Sequence, residues 1–429
     1  MLPMTERILT PGVTLRIVQT KKFKTAMLAV TFLEPLSQET ASLNALLPKV
    51  LRRGSQTHPD MESLSAALDE LYGSSVEPII RKKGEVQCVG FWGSFLDDAF
   101  VPKGFPMLES AADLLGELVL RPAGENGKFV SAYVSGEQDN LIDRIRSEIN
   151  DKLQYSLSRL RQILCRDEAY GINKLGSEEQ VRAITPEALF ARYQDMLTHA
   201  PVYLYYCGSA EPDRVEAAFR AAFDGLPKGD RRPIPQTIAV PAPTAPVQRV
   251  SESLDVTQGK LVLGFRTGGG FRTVESVAPA MLFNAVYGGS TNSKLFLNVR
   301  EKLSLCYFAN ASLVLNKGVL LVYSGVEFAN FQKAEDEILT QLAACQAGEI
   351  SEEELETARR SAIHSLRSTL DAQGRLEEFW LNRFVTGTQF TPEALADAVA
   401  GVSRDQVTAL AQKIQLDSVY CLRGKEGNR

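Results

Sequence analysis

The sequence predicts an α+β fold made of two homologous domains, each a largely antiparallel sheet covered by helices. Three observations predict it: a length of 429 residues, a proline-rich stretch just past the middle, and an order of strand and helix signals that recurs on both sides of that stretch. A chain this long exceeds what a single hydrophobic core normally organises. The stretch "LPKGDRRPIPQTIAVPAPTAPVQ" (226–248) resists helix and sheet, because proline fixes φ and lacks an amide hydrogen. The expected organisation is an N-terminal domain over 1–228, a linker over 229–246 and a C-terminal domain over 247–429.

Each half presents its elements in the same order. "LAVTF" (28–32) and "LVLGF" (261–265) read as apolar strands. A helical stretch follows each, ending in "RRGS" (52–55) and "YGGS" (287–290). Short helices come next, over 61–73 and 293–303. A hairpin follows in both halves, over 76–93 turning at Gly84 and over 307–325 turning at Gly318, with Lys317 expected at the exposed turn. These landmarks stay about 233 residues apart, a register that strands, helices and turn glycines do not keep by accident. Long helical regions over 129–164 and 351–384 correspond, and Ser351 with Glu354 forms a capping-box pattern. Helices over 185–197 and 403–414 match, the first with Thr185 as N-cap and Pro186 in the first turn, the second with Ser403 and Gln406 as a capping box. Each half then closes in a strand, "VYLYYCG" (202–208) and "VYCLRG" (419–424).

Composition narrows the function. The net charge is -5 and no basic stripe runs along the chain, so nucleic acid is not an expected partner. No run of about 18 apolar residues spans a membrane, and the first residues lack the apolar core of a signal peptide. The six cysteines are widely spaced and form no C-x-x-C, as expected of buried thiols in a reducing compartment, so a cytoplasmic location is expected.

One segment carries chemistry. "GGSTNSKLFLNVREKLSLCYFANA" (288–311) reads as a glycine turn, a short amphipathic helix and a strand. It places Arg300 near the end of the helix and Tyr307 at the mouth of the strand. Such residues are common on helices and strands, but a guanidinium and a phenol can also stabilise negative charge on a carbonyl oxygen. "FRTGGGFRTVES" (265–276) adds a loop whose Gly268, Gly269 and Gly270 leave backbone amides open to a ligand; with no GK[ST] after it, it is not a phosphate loop.

Over nearly its whole length, and most specifically at Gly288, Gly289, Ser293, Lys294, Leu295, Phe296, Arg300, Glu301 and Tyr307, the chain resembles the insulinase/pitrilysin family of zinc metallopeptidases. That resemblance implies a zinc motif H-x-x-E-H on a helix of the first domain, where residues four apart can grip one ion and the Glu activates water. Here the matching stretch is "NALLPKVLRRGS". The two histidines become Ala45 and Lys49, and the glutamate becomes Pro48. The family's further glutamate falls within 137–144, matched to Arg144. His58, His199 and His364 have no ligand spacing. No metal and no other cofactor is therefore expected.

In the family an Arg/Tyr pair reaches across a closed clamshell towards the zinc. Some bacterial members divide the labour between one subunit with the zinc and another with the pair. The resemblance thus implies a non-catalytic subunit of a heterodimeric zinc peptidase, inactive alone, with Arg300 and Tyr307 acting in trans. Gly268–Gly270 would be a candidate substrate loop. The implied partners are a zinc-bearing homologous subunit, an extended peptide added to a sheet edge and, for the chain alone, a second copy of itself. The alternative is a purely structural homologue of the same fold, which has no evident need for both residues at the family spacing.

Overall fold

Near-continuous apolar runs build the inner strands of both sheets, Thr25–Pro35, Val202–Gly208, Gly259–Arg266 and Val319–Val326, because both of their faces are covered. The computed structural model describes residues 4–425. The first half folds as β1 (Met4–Thr10), β2 (Val13–Gln19), β3 (Thr25–Pro35), α1 (Ala41–Leu51), α2 (Met61–Glu70), β4 (Ser75–Lys83), β5 (Val86–Leu96), α3 (Met107–Leu120), the small pair β6 (Gly124–Glu125) and β7 (Lys128–Phe129), α4 (Ser131–Ser147), α5 (Lys152–Leu164), α6 (Glu178–Arg182), α7 (Pro186–His199), β8 (Val202–Gly208) and α8 (Pro212–Ala222). The second half has β9 (Gln248–Leu254), β10 (Gly259–Arg266), α9 (Val274–Tyr287), a π-helix over Leu295–Lys302, β11 (Cys306–Val314), β12 (Val319–Val326), α10 (Phe331–Gln346), α11 (Glu352–Thr369), α12 (Gln373–Thr386), α13 (Pro392–Ala400), α14 (Arg404–Ala411) and β13 (Gln415–Gly424).

The two sheets have one topology. The first runs β1-β2-β8-β3-β5-β4 and the second runs β9-β13-β10-β12-β11. Leaving out β1, the order matches strand for strand. The sense of each pairing matches too: β2 lies parallel to β8 as β9 does to β13, and the remaining neighbours are antiparallel. Both hairpin turns fall where the sequence places them. Gly84 and Gly318 have φ of 60° and 66°, a region closed to most side chains. The expected caps form as well. The Ser351, Ser403 and Thr185 side chains accept from the amides of Glu354, Gln406 and Ala188.

The chain divides into two compact units. The first comprises residues 1–146, 172–236 and 373–385; the second comprises 147–171, 237–372 and 386–429. The backbone passes from one to the other within the expected linker, and each unit also takes in a segment from the other half of the sequence.

In the first unit, Leu28, Val30 and Phe32 of β3 and Val202, Leu204 and Tyr206 of β8 point into the core formed with α1, α3, α4, α7 and α8. The opposite face receives α12. There Arg16 donates to Trp380 O at 3.0 Å, the Tyr203 and Phe384 rings lie 4.9 Å apart, and Arg81 pairs with the fully buried Glu377. In the second unit Leu261, Leu263 and Phe265 face α9, α10, α11, α13 and α14. Its opposite face receives α5, whose Leu157, Leu160 and Leu164 pack on Val262, Leu321 and Tyr420.

Two expectations need correction, and a third is met with an unusual winding. The helical region 129–164 is broken between α4 and α5, and 351–384 between α11 and α12, because the later helix of each pair packs in the other unit. The short helix expected over 293–303 is present, and it is wound as a π-helix over Leu295–Lys302. Lys317 is not an exposed turn residue but is 0% exposed: its ammonium pairs with Glu168 and donates to Ile238 O.

Candidate functional site

In the second unit, the segment carrying Arg300 and Tyr307 is held by close backbone contact. A side chain on Gly288 would meet Ala311 Cβ at 2.6 Å and its amide nitrogen at 2.8 Å, so only glycine lets α9 end against β11. The Ala311 amide donates to Gly288 O at 2.8 Å across that contact. The chain then winds into the π-helix, with Leu295 and Val299 buried. Asn298 Nδ2 donates to Lys294 O, an acceptor that regular α-winding would give to a backbone amide. The Leu303 amide reaches back five residues to Asn298 O at 3.1 Å. π-Turns are rare and concentrate at functional sites.

This winding presents Arg300 at the surface, its side chain 40% exposed. Its guanidinium lies 4.6 Å from the centre of the Phe296 ring and 3.1 Å from the Glu301 carboxylate. Ser304 turns the chain with φ of 50°, and β11 begins. The first residues of β11 are irregular. Cys306 pairs with Val326 and Phe308 with Gly325, so Tyr307 is the extra residue of a β-bulge. A bulge re-aims its side chain, and Tyr307 is 61% exposed although Cys306 before it is buried and Phe308 after it is half-buried. Arg300, Glu301, Ser304, Cys306, Tyr307 and Glu327 line one open cavity of about 390 Å³. Burial pushes the Cys306 thiol up to about 11 against the pull of Arg300, so it is a protonated wall of the cavity and not a nucleophile.

The glycine loop is not brought to this cavity. Gly268 and Gly269 have positive φ, and the loop packs on the β11–β12 turn, where a side chain on Gly318 would meet Gly269 O at 2.2 Å. Along β10, Gly259 pairs with Val326 and Arg266 with Val319. Tyr307 therefore sits at one end of the strands and Gly268–Gly270 at the other. Two amides of this stretch are already engaged, Gly268 with Pro241 O and Phe271 with Leu315 O.

The positions matched to the zinc motif lie in the first unit. Ala45 is fully buried in the core and offers no donor. Pro48 sits inside α1 and is buried. Lys49 is half-buried; desolvation, opposed by Glu137 and assisted by Arg144, lowers its pKa from the ordinary lysine value. Glu137 of α4 is paired with Arg53 at 3.4 Å. Two side chains without ligand atoms and a group of cations do not fit a zinc ion. Among the described residues, no three His, Cys, Asp or Glu gather as a metal site. Of the four matched positions, Lys49 and Arg144 come together: with Arg52, Arg53 and Arg81 they line a cavity of about 470 Å³. The sequence reading missed Arg52, Arg53 and Arg81 as members of this pocket. The pair "RR" before Gly54 was a visible signal, but Arg81 comes from β4 and could be added only by the fold.

Comparison with known proteins follows the same lines. A sequence profile of the peptidase M16 inactive domain matches residues 183–362. The chain is 34% identical to the "Probable inactive metalloprotease YmfF" of Bacillus subtilis over 418 residues, 97% of each protein. Among solved structures, a conserved protein from Enterococcus faecalis V583 superposes with a TM-score of 0.89 at 26% identity, covering 99% of this chain and all of that one. A peptidase M16 inactive domain from Pseudomonas fluorescens shares the fold, with a TM-score of 0.79 at 14% identity over 99% of each chain.

Proposed function

Given that the chain belongs to the peptidase M16 family as an inactive homologue, we propose that it is the non-catalytic subunit of a paired zinc peptidase and lends Arg300 and Tyr307 to a zinc-bearing partner. The observation that carries this reading is the bulge at Tyr307, which turns a phenol out of β11 into the cavity that Arg300 also lines. Hydrolysis of a peptide bond places negative charge on the scissile carbonyl oxygen. A guanidinium and a phenol held at fixed positions can donate to that oxygen, and to a neighbouring carbonyl that orients the peptide. Metal chemistry would belong to the partner. The substrate is an extended peptide, bound through backbone hydrogen bonds at a free sheet edge.

The test mixes this chain with a zinc-bearing homologue and follows a fluorogenic peptide. This chain alone should cleave nothing, and the pair should be active. Arg300→Ala and Tyr307→Phe should each lower kcat by about 10²–10³, with less change in KM and no loss of assembly. Lys333→Ala, on the exposed face of α10, should leave the rate unchanged. Full activity with both variants would reduce the chain to a scaffold.

A further inference from the structure

We infer that the first unit carries a binding site for acidic peptide, in the pocket built on Lys49, Arg53 and Arg144. The pocket encloses about 470 Å³, room for a side chain with the backbone beside it. Its charge is one-sided: Lys49, Arg52, Arg53, Arg81 and Arg144 face it against Glu77 and Glu137. Much of that charge is already matched. Arg52 pairs with Glu77 at 3.2 Å, Arg53 with Glu137, and Arg81 with Glu377 and Glu378 of α12 in the same unit. Lys49 stands apart from those pairs. Its ammonium is half-buried beside the carboxylate of Glu137 and the guanidinium of Arg144, and desolvation outweighs the attraction of Glu137. Arg53 Nε is buried without a hydrogen-bond partner, while its guanidinium stacks 5.3 Å from the Tyr133 ring. A carboxylate entering the pocket would supply Lys49 with a countercharge.

Two features favour a peptide over a free anion. Beside its charged groups the pocket is lined by the apolar Pro78, Ile79, Ile80 and Trp92. The strand that supplies Pro78, Ile79 and Ile80, β4, is the edge of its sheet, where another chain can add beyond Val76, whose carbonyl accepts from Arg52 Nε at 2.6 Å. A glutamate or aspartate side chain would reach the cations while its own backbone lay along β4. This inference concerns the isolated chain and stands whether or not it works beside a zinc-bearing partner.

The experiment uses the full chain and a fluorescein-labelled peptide rich in glutamate, followed by anisotropy, and the same unlabelled peptide followed by Trp92 emission. The peptide should bind and change Trp92 emission, and Trp92→Phe should remove that change. Raising the salt concentration should weaken binding. Lys49→Met and Arg144→Gln should each weaken it roughly tenfold or more, with melting temperatures checked for folding. The same peptide with glutamine for glutamate should not compete. Equal binding of the glutamine peptide, or affinity untouched by either substitution, overturns the inference. Competition by inorganic phosphate as effective as that by the peptide would reduce the site to a general anion pocket and overturn the peptide assignment. If the other variants fail to fold, the tryptophan emission of wild type against Trp92→Phe decides: no change assignable to Trp92 rejects the site.

Discussion

At the scale of single residues, local sequence located groups and missed their partners. Arg300 and Tyr307 stand out in the sequence because they fall at a fixed spacing inside one segment, and both line one cavity. Lys317 was not: beside a turn glycine it reads as exposed, yet Glu168 and the Ile238 carbonyl, both remote in sequence, take up its charge in the interior. Glu168 also binds Arg266 at 2.6 Å. Burial alone would raise the Glu168 carboxyl, but hydrogen bonds and charge from Arg266 and Lys317 outweigh it and hold the carboxyl below its usual value. Lys317→Ala should therefore cost about 3 kcal/mol in urea unfolding, because it leaves a buried carboxylate short of a partner. The depressed carboxylate stabilises the fold at any pH above the unfolded value and ceases to do so as pH falls through the folded one. The stability advantage of wild type over Glu168→Gln should thus shrink below about pH 4.3. An advantage independent of pH would remove Glu168 from the ion pair.

At the scale of elements, the capping boxes and turn glycines were legible because each acts within four residues of itself. The π-winding was not, since eight residues are too few to separate its period from that of an α-helix. The bulge at Tyr307 was hidden for another reason: it exists only in the pairing with Val326 and Gly325, and no spacing within β11 encodes it. The strands β1, β2 and β9 went unread. β9 is "QRVSESL", whose alternation leaves only half-buried residues on its inner side. The contact of Gly288 with Ala311 gives the element its own prediction. Gly288→Ala should force β11 away from α9 and cost about 1–3 kcal/mol in thermal unfolding. It should also lower activity in trans beyond that loss, by moving the bulge. Wild-type stability would mean that the contact relaxes freely.

At the scale of the whole molecule, the repeated order of elements was legible because both halves keep one register, whereas the exchange of α5 and α12 was not. Both helices continue a preceding helix in sequence, and only the apolar faces they cover reveal where they pack. For metal, the substitution of Ala45, Pro48 and Lys49 predicts no stoichiometric zinc in the purified chain; about one zinc per chain by elemental analysis would refute this. For assembly, a protease cut at the exposed residues 244–247 should leave two fragments that stay together in gel filtration, because each unit is built from both. The exchange also sets a timetable for synthesis. The first unit's last segment, 373–385, leaves the ribosome about 140 residues after Gln236. At roughly 5–20 residues per second, the face bearing Tyr203 and Tyr205 waits on the order of ten to thirty seconds for its cover. A nascent chain in that interval displays an aromatic sheet surface long enough for chaperones to find it, and early release would leave that surface permanently bare.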